Sequence, residues 1–156
     1  MSTARVEETI AAPVERVWAV FTDLAARPEW LSTVEGVESL STGEFDVGTA
    51  WRETRLVADG ARIVEELRVV ECEPHHLIAL ASPGIGAEYR MTYTFEPGKE
   101  PGSTVVEVVL DGTPTGPAGR VLAALLGGLA VRTVEGALRR DLDDLAAAAV
   151  QGPARA

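Results

Sequence analysis

The segment from Pro13 to Leu31 constrains the fold most strongly, because it reads as an amphipathic helix set between a short strand and a long series of hairpins. Pro13 suits the first turn of a helix, where the N–H that proline lacks would have no partner. Pro28 disfavours helical conformation at Arg27, so a second short helical turn is predicted after the first helix. The apolar residues that recur at helical spacing are Val14, Val17, Trp18, Phe21 and Leu24.

Seven strands are predicted, one before this helical segment and six after it. Their ranges are Arg5–Ala11, Val34–Leu40, Thr49–Val57, Ala61–Cys72, Leu77–Ala81, Glu88–Phe95 and Thr104–Leu110. Turn-forming Gly, Pro and Ser residues mark short connections between them. Because short connections join neighbouring strands in antiparallel order, the sequence predicts an α+β fold with a seven-stranded antiparallel sheet wrapped around a long C-terminal helix.

The C-terminal helix is unusually long for a domain of this size. It is predicted to begin after Pro117 and to run to about Ala149, and some 32 residues would span roughly 48 Å. A compact domain of this length is only about 40 Å across. The apolar stripe also changes face at Gly127-Gly128, which predicts a bend or interruption there. The alternative is that the two glycines only permit close packing against a bulky side chain.

Length and charge limit the classes of function. The 156 residues fit one domain, predicted at 1–150 with a flexible tail at 151–156. The net charge of −10 disfavours nucleic acid and anionic membranes as partners. A single cysteine, Cys72, and an N-terminus without the apolar stretch of a signal peptide favour a cytoplasmic location. No apolar run is long enough to span a membrane, and whether the chain forms a homodimer stays open.

The order of elements resembles the helix-grip fold of the START/Bet v 1 (SRPBCC) superfamily, most closely its polyketide cyclase/dehydrase branch. The most specific part is ETIAAPVERVWAVFTDLAARPEWL, Glu8 to Leu31, which is similar to the opening strand, Pro-led helix and Pro-x-Trp turn of that branch. Supporting stretches are Gly48–Arg55, Val69–Leu80, Tyr93–Pro97 and Gly102–Leu110. The resemblance implies a cavity for an apolar ligand between the sheet and the C-terminal helix. It supplies no catalytic motif, so the catalytic residues are unknown.

The Asp59-Gly60 turn predicts which side chains of its hairpin face inward. A two-residue turn would pair Leu56 with Ile63 and fix the register. One face then carries Arg52, Thr54, Leu56, Ile63, Glu65 and Leu67, and this mostly apolar face is expected to line the cavity. Arg52 and Glu65 would be diagonal neighbours, either paired at the cavity rim or available to a ligand. A turn longer or shorter by one residue would reverse the faces.

Further cavity-lining residues are predicted on two other elements. Alternation along Glu88–Phe95 turns Tyr89, Met91 and Tyr93 inward, where the two phenols could contact a ligand or find backbone partners. Trp30 is expected to close one end of the space or to pack in the core. The C-terminal helix is expected to contribute Leu122, Leu125 and Leu129.

The sequence contains no familiar motif for metal, nucleotide or nucleophilic chemistry. No CxxC, HExxH, P-loop or GxSxG pattern occurs, and both histidines, His75 and His76, lie in one turn. We therefore expect no metal and no cofactor. The predicted function is binding of a small apolar or aromatic molecule. The alternatives are an aromatase/cyclase-like enzyme, with Glu65 as base and Arg52 or a tyrosine stabilising an enolate, and a protein-interaction module without a ligand.

Overall fold

A computed structural model describes residues 2–56, 60–84 and 87–151, and for residues 2, 84, 87 and 118–131 it describes the backbone alone. The strands are β1 Ser2–Ile10, β2 Val34–Ser39, β3 Ala50–Leu56, β4 Arg62–Glu73, β5 Leu77–Gly84, β6 Ala87–Pro97 and β7 Thr104–Pro114. The helices are α1 Val14–Thr22, α2 Arg27–Trp30 and α3 Gly116–Gln151, with a 3-10 turn at Leu24–Ala26 between α1 and α2. The predicted order of strands and helices is confirmed.

The seven strands form one antiparallel sheet in the order β1-β7-β6-β5-β4-β3-β2. Consecutive strands from β2 to β7 are neighbours, as their short connections predict. The first strand joins the far edge by pairing with the last, from Ser2 opposite Gly112 to Ile10 opposite Thr104. The α+β helix-grip fold is therefore confirmed.

The predicted register of the β3–β4 hairpin is wrong by one residue. Trp51 lies opposite Leu67 and Leu56 lies opposite Arg62, so the loop is not the two-residue turn inferred from Asp59-Gly60. Because side chains alternate between faces, this shift turns Trp51 and Glu53 inward and reverses the predicted face of β3. The predicted face of β4 is correct, since Leu67 and Val69 are buried.

A bend or an interruption was predicted at Gly127-Gly128, and the interruption is wrong, because helix α3 is continuous through both glycines. At 36 residues it is also longer than predicted, because it begins at Gly116 and ends at Gln151. Its final carbonyl groups lack helical partners, and the Arg16 guanidinium of α1 donates to those of Ala148 and Ala149 at 3.1 and 3.3 Å. This contact fixes the end of α3 against α1.

The core lies between the inner face of the sheet, defined as the face that packs against the helices, and helices α1 and α3. The C-terminal part of α3 buries Leu138, Leu142, Leu145 and Ala149. The sheet contributes Val6, Ile10, Tyr93, Phe95, Val106 and Val108, and α1 contributes Val17 and Phe21. The aromatic rings meet edge-on or tilted, with Phe21 4.7 Å from Tyr93 between ring centroids. This end of the domain is closely packed.

No described helix is long and apolar enough to cross a membrane.

Candidate functional site

A buried carboxylate on β3 is the centre of the most unusual side-chain cluster in the molecule. Glu53 is 0% exposed, because the register of the β3–β4 hairpin turns it into the core. Its Oε1 accepts hydrogen bonds from Arg27 Nε at 2.9 Å and from Trp51 Nε1 at 2.8 Å. Its Oε2 accepts from Arg55 Nε at 3.0 Å. A buried carboxylate persists only when it is paired in this way.

Arg55 connects this carboxylate to helix α3. Its Nη1 and Nη2 donate to the two carboxylate oxygens of Asp141 at 3.2 and 3.1 Å, which is the bidentate geometry that arginine favours. The same guanidinium lies 3.1 Å from Glu65 on β4 and donates to Thr33 Oγ1 at 3.1 Å. One arginine therefore joins β3, β4, the α2–β2 connection and α3.

Burial raises the pKa of each acid in the cluster, and pairing with arginine lowers it. Burial alone would raise the pKa of Glu53, but Arg27 and Arg55 outweigh it and hold that pKa below the ordinary carboxyl value. For Asp141 and Glu65, burial raises the pKa in spite of Arg55. The cluster therefore makes Glu53 a stronger acid, and Asp141 and Glu65 weaker acids, than free carboxyl groups.

Arg27 is surrounded by aromatic rings and is only 4% exposed. Its guanidinium carbon lies 5.3 Å from the Trp51 ring, 5.6 Å from Phe21 and 5.7 Å from Trp30, within cation–π distance. Its Nη1 has no hydrogen-bond partner among the described residues, and neither has Trp30 Nε1. Both nitrogen atoms are buried donors without an acceptor.

A small cavity adjoins this arginine between α2, β6 and α3. Its volume is about 10 Å³, which is room for about one water molecule. It is lined by Phe21, Arg27, Trp30, Leu31, Tyr93, Asp141, Leu142 and Leu145. Burial raises the pKa of Tyr93, so its phenol stays protonated near neutral pH.

The inner face is more open at one end of the sheet, which we call the hairpin end. There the β3–β4 and β5–β6 hairpins turn and β7 leads into α3. Ile63 is 42% exposed and Tyr89 is 37% exposed, although alternation places both on the inner face with buried Leu67 and Tyr93. Met91, between the two tyrosines on that face, is half-buried. Apolar surface is thus left uncovered at this end.

The structure divides the predicted site residues into two groups. Trp30 and Tyr93 line the small cavity, and Glu65 turns inward but pairs with Arg55 instead of Arg52. Ile63, Leu67, Tyr89 and Met91 lie on the inner face as predicted. The side chains of Leu122, Leu125 and Leu129 lie outside the described residues.

The predicted positions of Arg52, Thr54 and Leu56 are wrong, because the shift in register places all three on the outer face of β3. Arg52 pairs there with Glu38 at 3.0 Å and lies 3.9 Å from Glu66, in solvent. Arg52 and Glu65 therefore do not meet across the hairpin. Since Arg52 is on the outer surface, it cannot stabilise an enolate inside the domain.

The sequence interpretation missed four residues of the cluster: Arg27, Glu53, Arg55 and Asp141. Trp51 was the available signal, because a tryptophan is rarely left on a charged, solvated face. Placing Trp51 inside would have turned Glu53 and Arg55 inward with it. Nothing local could have indicated Asp141, which is 86 residues from Arg55 in sequence.

Within the described ranges, no group of three or more His, Cys, Asp or Glu side chains is arranged to hold a metal ion.

Comparison with protein families finds a match over residues 1–150 to the family described as polyketide cyclase/dehydrase and lipid transport. A search of curated proteins finds no match.

Solved structures share the fold at low sequence identity. A protein from Thermus thermophilus is 24% identical with a TM-score of 0.77, over 97% of this chain and 99% of that one. A START superfamily protein from Mycobacterium smegmatis is 17% identical with a TM-score of 0.78, over 97% and 99%. An aromatase/cyclase from Streptomyces sp. R1128 is 17% identical with a TM-score of 0.72, over 96% and 94%.

Proposed function

This chain belongs to the polyketide cyclase/dehydrase and lipid transport family, and from that premise we propose that it binds a small apolar or aromatic molecule between its sheet and helix α3. The family description includes lipid transport, which requires a site for a hydrophobic ligand. The START superfamily protein and the aromatase/cyclase have the same fold.

The observation that carries the proposal is the uncovered apolar surface on the inner face at the hairpin end. Ile63 and Tyr89 are exposed there, whereas Leu67 and Tyr93 on the same face are buried. Monomeric proteins rarely leave concave apolar surface open without a partner. A ligand that covered these two side chains and half-buried Met91 would complete the apolar face.

The packing of α3 beside Arg27 supports this location. There Leu138, Leu142 and Leu145 of α3 fill the space above the sheet, and the adjoining cavity holds only about one water molecule. A molecule of several rings would therefore have to lie nearer the hairpin end.

Two neighbouring residues of β4 offer a matched test. Ile63 is on the inner face, whereas Val64 is 61% exposed on the outer face. We expect Ile63→Ser to weaken binding of an apolar fluorescent dye, 1-anilinonaphthalene-8-sulfonate, about fivefold, because roughly 1 kcal/mol of apolar contact is lost. Val64→Ser removes a similar side chain from the other face and should leave the dye affinity unchanged.

Native mass spectrometry of freshly purified protein provides an independent measurement. We expect a bound species of small-molecule mass that dissociates on mild activation. If no such species is present and the dye does not bind, the ligand proposal is wrong. The remaining alternative, a protein-interaction module without a ligand, then takes its place.

Catalysis is the second candidate, because an acid and a phenol line the same small cavity as Arg27. Asp141 has a raised pKa, so it could exchange a proton with a polyketide-type substrate. Tyr93 stays protonated, so its hydroxyl could donate a hydrogen bond to a developing enolate. This replaces the predicted roles of Arg52 and Glu65. If the protein is an aromatase/cyclase, Tyr93→Phe should abolish the appearance of an aromatic absorbance band from a poly-β-ketone while dye binding persists.

A further inference from the structure

The small cavity between α2, β6 and α3 has walls that are rich in hydrogen-bond donors. Arg27 and Trp30 both line it, and Arg27 Nη1 and Trp30 Nε1 are buried without an acceptor in the described part of the chain. Tyr93 lines it too, and because burial raises the pKa of this residue, its hydroxyl keeps a proton that it can donate. Among the described lining residues, Asp141 carries the one carboxyl group. The cavity therefore suits an occupant that accepts hydrogen bonds.

Arg27 is a buried cation that the protein neutralises from one direction only. Glu53 accepts from its Nε at 2.9 Å, and within the described residues Arg27 makes no other ion pair. The other close neighbours of its guanidinium carbon are rings, at 5.3 Å for Trp51, 5.6 Å for Phe21 and 5.7 Å for Trp30. Because Arg27 is only 4% exposed, bulk water does not reach Nη1. A buried charged donor without an acceptor is more costly than a neutral one, so the gain from an occupant beside Nη1 is large.

The charge of the surrounding cluster leaves room for an anion. Two guanidinium groups, Arg27 and Arg55, face three acids, but Glu53 alone is a stronger acid than a free carboxyl group. Asp141 and Glu65 are weaker acids, because burial raises the pKa of each. Asp141 also receives a bidentate pair from Arg55, which compensates its charge directly. An anion beside Nη1 would thus act as a second counter-ion for Arg27.

The size of the cavity selects the kind of anion. A volume of about 10 Å³ is room for about one water molecule, so phosphate, sulfate and carboxylate groups do not fit. A halide ion is a single atom that accepts several hydrogen bonds and donates none. Among the halides that are abundant in cells, chloride is the smallest. A water molecule would also fit, but it would bring two hydrogens of its own to a lining with few acceptors.

We propose that this cavity binds one chloride ion, with Arg27 Nη1 and Trp30 Nε1 as its donors. The ion lies between the short helix α2, which supplies both donors, and α3, which supplies Asp141, Leu142 and Leu145 to the lining. Binding of the ion therefore ties α2 to α3. The inference goes beyond the proposed function and does not depend on it, because the apolar ligand is assigned to the hairpin end of the sheet.

Bromide is a direct probe of the site, because it can replace chloride and its anomalous X-ray scattering marks its position. Crystals transferred from sodium chloride to sodium bromide should show an anomalous peak in this cavity, within hydrogen-bonding reach of Arg27 Nη1 and Trp30 Nε1. The peak should be much weaker in Trp30→Phe, which keeps an aromatic ring and removes Nε1–H. A cavity that contains only water, with no anomalous peak, would overturn the inference.

A chloride site also predicts that the stability of the folded protein depends on the anion in solution. We expect the urea midpoint to be higher in sodium chloride than in sodium gluconate of equal ionic strength, since gluconate screens surface charge equally but is too large for the cavity. Above the dissociation constant, each tenfold increase in chloride should raise the folding equilibrium constant about tenfold. Urea denaturation followed by circular dichroism measures both effects.

Two variants isolate the donors in this measurement. Trp30→Phe removes Nε1–H, and Arg27→Lys keeps a cation near Glu53 and removes Nη1. Each should reduce the difference between the two salts several-fold. Trp18→Phe is the matched control and should keep the full difference, because Trp18 does not line the cavity. If Arg27→Lys does not fold, Trp30→Phe alone decides.

The solution measurement also decides what a bromide peak in the crystal means. Equal urea midpoints in the two salts would show that the peak marks an adventitious ion only, and the inference would then be wrong. A difference between the salts that Trp30→Phe leaves unchanged would overturn it as well, since chloride would then act elsewhere on the protein.

Discussion

Glu53 shows how a single residue can organise a core. Its carboxylate accepts from Arg27, Trp51 and Arg55, which come from α2 and β3. Removing two guanidinium groups and a carboxylate from water is expensive, and such clusters are rarely the most stabilising arrangement. What the cluster provides is a defined position for Arg27 beside the cavity, because the carboxylate holds the Nε side of the guanidinium and leaves Nη1 free.

The charge of Glu53 can be tested by removing it without changing its shape. Glu53→Gln leaves two buried guanidinium groups without their shared anion, so we expect the free energy of unfolding to fall by about 3–5 kcal/mol. Urea denaturation followed by circular dichroism measures this value. Glu66→Gln is the control on the outer face, where Glu66 is exposed beside Arg52, and it should change stability by less than about 0.5 kcal/mol. Equal effects would mean that Glu53 contributes no more than a surface charge.

At this scale the sequence predicted part of the site. The alternation of β6 identified Tyr93, because a strand has a local periodicity of two. The Pro-x-Trp turn, a feature of the family resemblance, drew attention to Trp30. Arg27 was not identified, since its burial depends on rings from α1 and β3 that pack around it. Charged residues are placed by such tertiary contacts, which leave no local pattern.

Among the elements, β1 and α3 share a carboxyl pair that makes their contact sensitive to pH. Burial and a hydrogen bond with Asp143 of α3 raise the pKa of Glu8 on β1 to about 7, although Arg139 acts in the opposite direction. The folded protein thus binds this proton more tightly than the unfolded chain does. The resulting stability is complete below a pH of about 4.5 and is lost as the pH rises through about 7.

We therefore expect the unfolding free energy of the wild type to fall by about 1 kcal/mol between pH 5 and pH 8, after allowance for solvent screening, since Asp143 is exposed. Glu8→Gln should remove this contribution to the pH dependence. Glu7→Gln, one residue earlier on the outer face of β1, should leave it in place. The measurement is urea denaturation at both pH values. A wild-type slope equal to that of Glu8→Gln would contradict the carboxyl pair.

Helix α3 provides a second test at this scale. Because it is continuous through Gly127-Gly128, replacing both glycines with alanine should favour the helix by about 1–2 kcal/mol. Glycines also lower the cost of bending a helix, so the variant should take up an apolar dye more slowly if bending admits the ligand. Stopped-flow fluorescence measures the uptake rate.

Gly136→Ala is the control within the same helix, since a Cβ at Gly136 would meet no atom within 4 Å. It should also stabilise the helix, by up to about 1 kcal/mol, but leave dye uptake unchanged. Unchanged uptake in the double variant as well would show that bending at Gly127-Gly128 does not admit the ligand.

The elements themselves were predictable, and one register was not. Strand order followed from short connections, β4 lies within one residue of its predicted range at each end, and β7 begins at Thr104 as predicted. The β3–β4 hairpin failed because Asp59-Gly60 was interpreted as a two-residue turn, whereas Leu56 pairs with Arg62. One residue of loop length cannot be determined from turn composition alone, and it reverses a whole strand face.

Across the whole molecule, the inner face is closed at the α1 end and open at the hairpin end. Burial of Leu142 and Leu145 of α3 marks the closed end, and exposure of Ile63 and Tyr89 marks the open one. Buried and exposed apolar side chains thus share the inner face of one sheet.

The pairing of β1 with β7 has a consequence for synthesis of the chain. Ile10 is translated about 95 residues before its partner Thr104. At about 5–20 residues per second, the delay is roughly 5–20 s. Throughout that interval Val6 and Ile10 have no strand to cover them. The sheet is therefore completed only after β7 has been translated, so a chain truncated before Thr104 cannot close it.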